Sequence, residues 1–183
     1  GTRLAGRCWL GKVQTLAYLM AGMGADAKAA KVQVLSRTTQ TEVQKFPCWQ
    51  PDRVKTAGPG TFIIKDDVLE LKYGSSGTYS VCVCDVPFPT SGTHTISVEV
   101  TSLSDNAAIG VVTSMDDLQK QSNGSKAWIG NGRYGWCLFT DGDCCHDGSW
   151  NSGSLGWGSG QTVSVTIDSY QNTFSVTVGG QTR

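Results

Sequence analysis

The sequence is poor in several things at once. It has two histidines and five prolines, and charged residues make up 16% of its 183 residues. Two histidines leave little material for acid–base or metal chemistry. No stretch approaches the roughly 20 consecutive apolar residues that a bilayer span requires, so no membrane span is expected. The net charge is also absent: 15 Lys+Arg face 15 Asp+Glu. A hydrophobic share of 39% is too high for a disordered chain. What is abundant is glycine, 23 residues, together with serine and threonine, which suits a β-rich fold with many turns.

The neutral total hides an asymmetry. Residues 1–60 carry nine Lys/Arg against three acids and are net +6, which leaves residues 61–183 at net −6. The basic residues are dispersed rather than massed, so the segment reads as a solvated face and not as an arm for an anionic partner. Nucleic acid is not expected as a partner of the acidic part, which would repel phosphates.

Seven cysteines, Cys8, Cys48, Cys82, Cys84, Cys137, Cys144 and Cys145, are an odd count and do not suggest a closed disulfide framework. Cys82 and Cys84 point the same way along an extended strand, about 7 Å apart, too far to bridge. Adjacent Cys144 and Cys145 could bridge only with strain. Thiols in a reducing, cytoplasmic compartment are the simpler expectation. Asn123-Gly124-Ser125 is a glycosylation sequon that matters only for a secreted chain.

The hydrophobic period divides the chain. Val13, Leu16, Ala17 and Met20 fall at i, i+3, i+4 and i+7 and predict a helix, interrupted at Gly22 and Gly24, with a second short turn over Ala25–Ala30. Pro47, Pro51, Gly58, Pro59 and Gly60 mark residues 44–60 as a connection. Residues 1–60 are thus expected to be a partly helical extension and linker, and 61–183 a β domain.

From Thr61 the period is two. Leu69, Leu71 and Tyr73, then Ile96, Val98 and Val100, then Val163, Val165 and Ile167, then Phe174, Val176 and Val178 each alternate with polar residues. Each is a half-buried strand. The last two are separated by Ser169-Tyr170-Gln171-Asn172, a hairpin length. Val81–Cys84, Ala108–Val112, Ala127–Ile129 and Trp136–Thr140 add shorter apolar runs. Many short strands with turn signals between them predict an all-β fold, an antiparallel two-sheet β-sandwich.

Few groups could carry chemistry. His146 lies beside Cys144, Cys145 and Asp147, but sequence neighbours on a strand point in different directions, so adjacency does not make a Cys–His dyad. Asp141, Asp143 and Asp147 lack the glutamate that a calcium loop requires, and no Cys-x-x-Cys pair offers zinc ligands. Gly130, Gly132 and Gly135 have no following helix or Lys-Ser/Thr pair and make no phosphate cradle. No metal, cofactor or catalytic residue is expected. Aromatics are the informative set: Trp128, Tyr134, Trp136, Trp150 and Trp157 fall within thirty residues. Trp136 opens an apolar strand and Trp157 precedes one, so both suit a core. Trp128, Tyr134 and Trp150 lie nearer loops and could anchor a peptide or stack on a sugar.

These residues also carry a resemblance. Phe62-Ile-Ile-Lys-Asp-Asp followed by Val81-Cys-Val-Cys-Asp-Val-Pro-Phe-Pro-Thr-Ser-Gly-Thr-His94 resembles the front half of a SPRY (B30.2-like) domain, whose Gly-x-His turn leads into a long strand. Ile109-Gly110-Val111-Val112 resembles its next strand, and Tyr134-Gly-Trp-Cys-Leu138 its Trp-Gly-x-x-Leu segment. His146-Asp147-Gly148 resembles its His-Asn/Asp-Gly turn. The stretches from Gly158 to Asp168 and from Phe174 to Gly180 resemble its Gly-Asp-x-Ile-x-Val-x-Leu-Asp strand and its Phe-x-x-Asn-Gly hairpin. Gln161 stands where the family usually has Asp, and Gly179 where it usually has Asn. The family continues with further strands, so the chain is expected either to be a fragment of such a domain or to have its sheet completed by a neighbouring segment.

The resemblance implies a bent sandwich of concanavalin-like, jelly-roll type. It also implies a non-catalytic, protein-binding role through loops at one end, of the kind found in ubiquitin-ligase substrate receptors and scaffolds. The contacts expected from these loops are Asp116, Asp117, Lys126, Trp128, Asn131, Arg133, Tyr134 and Trp150, with aromatic anchors and charged or amide groups fixing orientation. Two other functions stay open: a carbohydrate-binding module using Trp128 and Trp150, and a Cys–His hydrolase or a redox pair at Cys144-Cys145.

Overall fold

The structure is a computed structural model of the chain. It describes the backbone of residues 8–9, 18–23, 29–39, 42–44, 54–57, 61–65, 68–72, 80–84, 88–103, 106–113, 130, 132–153 and 155–182. Side chains are described for 63–64, 68–70, 81–84, 88–103, 106–113, 130, 132–153 and 155–180.

Among these residues every regular element is a strand. In chain order they are β1 (Cys8–Trp9), β2 (Tyr18–Met23), β3 (Ala29–Thr39), β4 (Glu42–Gln44), β5 (Val54–Ala57), β6 (Thr61–Lys65), β7 (Val68–Lys72) and β8 (Ser80–Cys84). There follow β9 (Thr93–Leu103), β10 (Ala107–Val112), β11 (Gly135–Phe139), β12 (Cys144–His146), β13 (Ser149–Asn151), β14 (Gln161–Asp168), β15 (Thr173–Val178) and β16 (Gln181–Thr182). The all-β expectation holds. No described helix is long and apolar enough to cross a membrane.

The strands form two antiparallel sheets. One has nine strands, in the order β1-β15-β14-β9-β3-β7-β6, with β16 added at β15 and β4 at β3. The other has seven, in the order β13-β12-β11-β10-β2-β8-β5. The helix expected around Met20 is corrected: Tyr18–Met23 is a strand between β10 and β8. Ala29 and Ala30, expected in a turn of helix, open β3, which lies between β9 and β7. Val54–Ala57, expected within a connection, is a strand on β8. The remaining residues of the expected helix, Val13, Leu16 and Ala17, lie outside the described residues. Pairing with distant strands overrides a short helical periodicity, because a strand's stability comes from its neighbours in the sheet.

Alternation sets which faces are buried. Along β9, Ile96, Val98 and Val100 are buried while Thr95, Ser97 and Glu99 are half-buried. β14 and β15 repeat the pattern with Val163, Val165 and Ile167, and with Phe174, Val176 and Val178. These side chains join Ile109, Val111, Trp136 and Leu138 of the seven-stranded sheet, with Leu155 and Trp157, in one hydrophobic cluster fed by both sheets. Each fully buried aliphatic side chain contributes about 1.5–3 kcal/mol. On the opposite, polar face, hydroxyls pair across strands: Thr95 with Thr166 at 2.8 Å and Ser97 with Ser164 at 2.7 Å.

The seven-stranded sheet is buried on both faces in its middle. All six residues of β10 are buried. Ala107, Ile109 and Val111 face the inter-sheet cluster. Ala108 and Val112 join Val81, Val83, Cys137, Phe139 and Cys145 in a second cluster on the other face. Gly110 leaves no room for a side chain: a Cβ there would lie 2.0 Å from the Trp136 carbonyl oxygen and 2.8 Å from the Cys137 Cα.

Candidate functional site

β11, β12 and β13 hold the described part of the expected site. β11 begins after a tight turn in which the Gly135 N–H donates to the Gly132 oxygen at 3.4 Å. Arg133 and Tyr134 are exposed on that turn. The Arg133 guanidinium carbon lies 5.5 Å from the Tyr134 ring centroid, a cation–π contact. The Tyr134 backbone is anchored, its carbonyl accepting from the Thr113 N–H at 2.8 Å. Tyr134 as a whole remains 39% exposed.

Trp150 lies on β13, at the end of the seven-stranded order and two strands from β11. Its ring meets that of Phe139 at 4.9 Å, tilted by 37°. It is still 47% exposed. The indole therefore spreads over the rim of the outer cluster with half its surface in solvent. Arg133, Tyr134 and Trp150 thus come from neighbouring segments of one sheet. The other five expected contacts, Asp116, Asp117, Lys126, Trp128 and Asn131, lie outside the described residues.

The Asp147-Gly148 turn between β12 and β13 is a structural device. Both residues adopt positive φ, 50° and 69°. The Gly148 N–H donates to the Gly130 oxygen at 3.1 Å. The Cys145 thiol donates to the same oxygen at 3.4 Å. The Gly130 carbonyl thereby ties the chain before Arg133 to the β12–β13 hairpin.

His146 and Cys145 do not face each other. His146 lies on the side of β12 where its ring stacks on Trp136, and its Nδ1 is 2.9 Å from the Gly135 oxygen. Cys145 lies in the outer cluster, and burial pushes its thiol up to about 11, away from nucleophilic thiolate. Cys144 lies in the inter-sheet cluster, on the opposite face from Cys145. The adjacent Cys144-Cys145 pair is therefore split between the two faces of the sheet. Among the described residues no group of three or more His, Cys, Asp or Glu side chains is placed to hold a metal ion.

Two features escaped the sequence reading. Tyr170, in the β14–β15 turn, is 74% exposed. Its turn is held by Asp168, whose Oδ1 accepts from the Tyr170 and Gln171 N–H groups at 2.9 and 3.0 Å. His94 is buried, with Nε2 on the Ser91 oxygen and Nδ1 without a partner. The first could have been suspected from an aromatic at a hairpin tip; the second from its phase, since His94 continues the buried alternation of Ile96, Val98 and Val100.

No family model, curated protein or solved structure matches the chain.

Proposed function

We propose that the chain is a non-catalytic protein-interaction module, a bent two-sheet β-sandwich of SPRY-like type, that binds a peptide or protein surface through loops at one end. The observation that carries the reading is Trp150. It is a half-exposed indole braced on Phe139 beside a rigid sheet, which lowers the entropy cost of ordering an anchor at an interface. The Arg133–Tyr134 pair on a neighbouring turn adds the other two residue types most used as hot spots. The chain order of the strands supports the resemblance. The Gly-x-His turn leads into β9, the Ile-Gly-Val-Val run lies in β10, the Trp-Cys-Leu run in β11, and the two late motifs in β14 and β15.

The test uses the parent and a Tyr134→Ala, Trp150→Ala double variant, both required to melt cooperatively and well above the capture temperature. Each is immobilised, and the proteins captured from lysate are compared by mass spectrometry. A protein enriched on the parent and lost on the variant supports the reading and names the partner. Equal capture by both, or none, sinks it. Retention of the parent on a polysaccharide resin, abolished in the variant, would turn the assignment to carbohydrate.

A further inference from the structure

Strand register singles out one pair of cysteines. Among Cys82, Cys84, Cys137, Cys144 and Cys145 there is no disulfide. Cys82 and Cys84 share one face of β8, separated by two residues of strand rise, about 7 Å, which is beyond bridging distance. Cys144 faces the inter-sheet cluster and has Leu138 as its partner on β11. Cys137 and Cys145, in contrast, are direct register partners across β11 and β12, and both lie in the outer cluster.

The ladder phase gives their separation. The Phe139 N–H donates to the Asp143 oxygen at 2.8 Å, which makes Phe139 and Asp143 a hydrogen-bonded pair. Cys137 and Cys145, two residues further along each strand, are the next such pair. Opposed residues at that phase have Cα atoms about 5.5 Å apart, inside the range of about 4.4–6.8 Å that a disulfide spans. The Cys137 sulfur already leans over β12, reaching the Cys145 carbonyl oxygen at 3.8 Å.

We propose that Cys137 and Cys145 are a redox pair that closes to a reversible cross-strand disulfide by exchange with a low-molecular-weight disulfide. One protein thiol gives up its proton and attacks a sulfur of the small disulfide. A mixed disulfide forms and one small thiol leaves. The second protein thiol gives up its proton and displaces the other small thiol. One protein S–S bond and two small thiols replace two protein thiols and one small disulfide, so the protein loses two electrons and the small disulfide gains them.

The closure has a structural consequence. The Cys145 thiol hydrogen now serves the Gly130 carbonyl, which also accepts from the Gly148 N–H. Oxidation removes that donor and loosens the tie just ahead of Arg133 and Tyr134. Both sulfurs are buried, so exchange proceeds through opening of the β11–β12 hairpin and is slow. The same exchange run backward with small thiols reopens the bridge. The inference stands independently of the proposed function.

The test incubates the whole folded chain with oxidised glutathione, blocks remaining thiols, and cleaves before Asp141, Asp143 and Asp147. This separates Cys137 from the Cys144-Cys145 peptide. The expected result is a joined pair of peptides that falls apart on reduction. The join persists in Cys144→Ser and is lost in Cys145→Ser and Cys137→Ser, while the oxidised parent keeps its cooperative melt. Recovery of Cys137 and Cys145 as blocked thiols from the folded parent overturns the proposal, and so does a join lost in Cys144→Ser. The parent and Cys144→Ser decide the matter even if the other two variants do not fold.

Discussion

Trp136 and His146 stack across β11 and β12 with ring centroids 4.3 Å apart and planes 12° from parallel. They are direct register partners, one step out of phase with the hydrogen-bonded Cys137–Cys145 pair, so they occupy the phase at which side chains approach closest. The imidazole is thus a packing element of the sheet. His146→Ala should lower the urea midpoint by the equivalent of about 1 kcal/mol, and His146→Phe should retain most of the stability. Equal midpoints for parent and His146→Ala would show that the stack contributes nothing.

Phe139 and Trp150 divide burial between them. Phe139 is buried in the outer cluster while Trp150 remains half in solvent. Phe139→Ala should cost about 3–5 kcal/mol, as for a core aromatic. Trp150→Ala should cost about 0.5–1.5 kcal/mol and leave the melt cooperative. Chemical denaturation of both variants checks this. A Trp150 variant as damaged as the Phe139 variant would make Trp150 a core residue and remove the main support for its binding role.

Gly110 and Gly158 should respond oppositely to the same substitution. At Gly110 an added methyl meets backbone atoms of β11, which cannot move aside without parting the strands, whereas at Gly158 nothing lies within 4 Å. Gly110→Ala should cost 3 kcal/mol or more, about the upper range for overpacking, and reduce soluble yield. Gly158→Ala should be within about 0.5 kcal/mol of the parent. Thermal melts of the two purified variants discriminate.

Alkali should destabilise the fold through its thiols. Burial pushes the Cys145 thiol from 9.0 up to about 11, and burial together with neighbouring Cys84 pushes Cys82 further in the same direction. In the unfolded chain both ionise near 9.0, while the folded chain keeps them protonated. Above that pH the unfolded state binds fewer protons, so stability is full below about 9 and falls as pH rises toward 11. Urea midpoints at about pH 8 and about pH 10 should show the fall, and Cys145→Ser should show a smaller one. An identical fall in parent and variant would assign the effect to other groups.

The β14–β15 turn depends on one carboxylate. Asp168 accepts from two consecutive N–H groups, and Asn172 completes the turn at φ 51°. Asp168→Ala should cost about 1–2 kcal/mol, because two turn donors lose a charged acceptor. Asn172→Gly should be tolerated and Asn172→Val should not, since a β-branched residue resists the left-handed region. Denaturation midpoints in that order are the expected outcome.

The sequence by itself determined the strands whose two faces differ. β9, β14 and β15 alternate between aliphatic and hydroxyl-bearing side chains because one face is buried and the other wet, and that pattern is local. The hairpin Ser169–Asn172 and the core placement of Trp136 and Trp157 were legible for the same reason. Of the expected contacts, Arg133, Tyr134 and Trp150 were recognisable as exposed or half-exposed groups near turns. Tertiary structure alone decided β2. In β2 the helical period ends on Met20, and only pairing with β10 and β8 resolves the choice; in β3 Val32 and Val34 alternate with Lys31 and Gln33, a local strand signal that the helical turn expected over Ala25–Ala30 hid. Tertiary structure also decided the cysteines. Adjacent Cys144 and Cys145 lie on opposite faces because a strand alternates, whereas Cys137 and Cys145, eight residues apart in the chain, meet because the β11–β12 register puts them opposite each other.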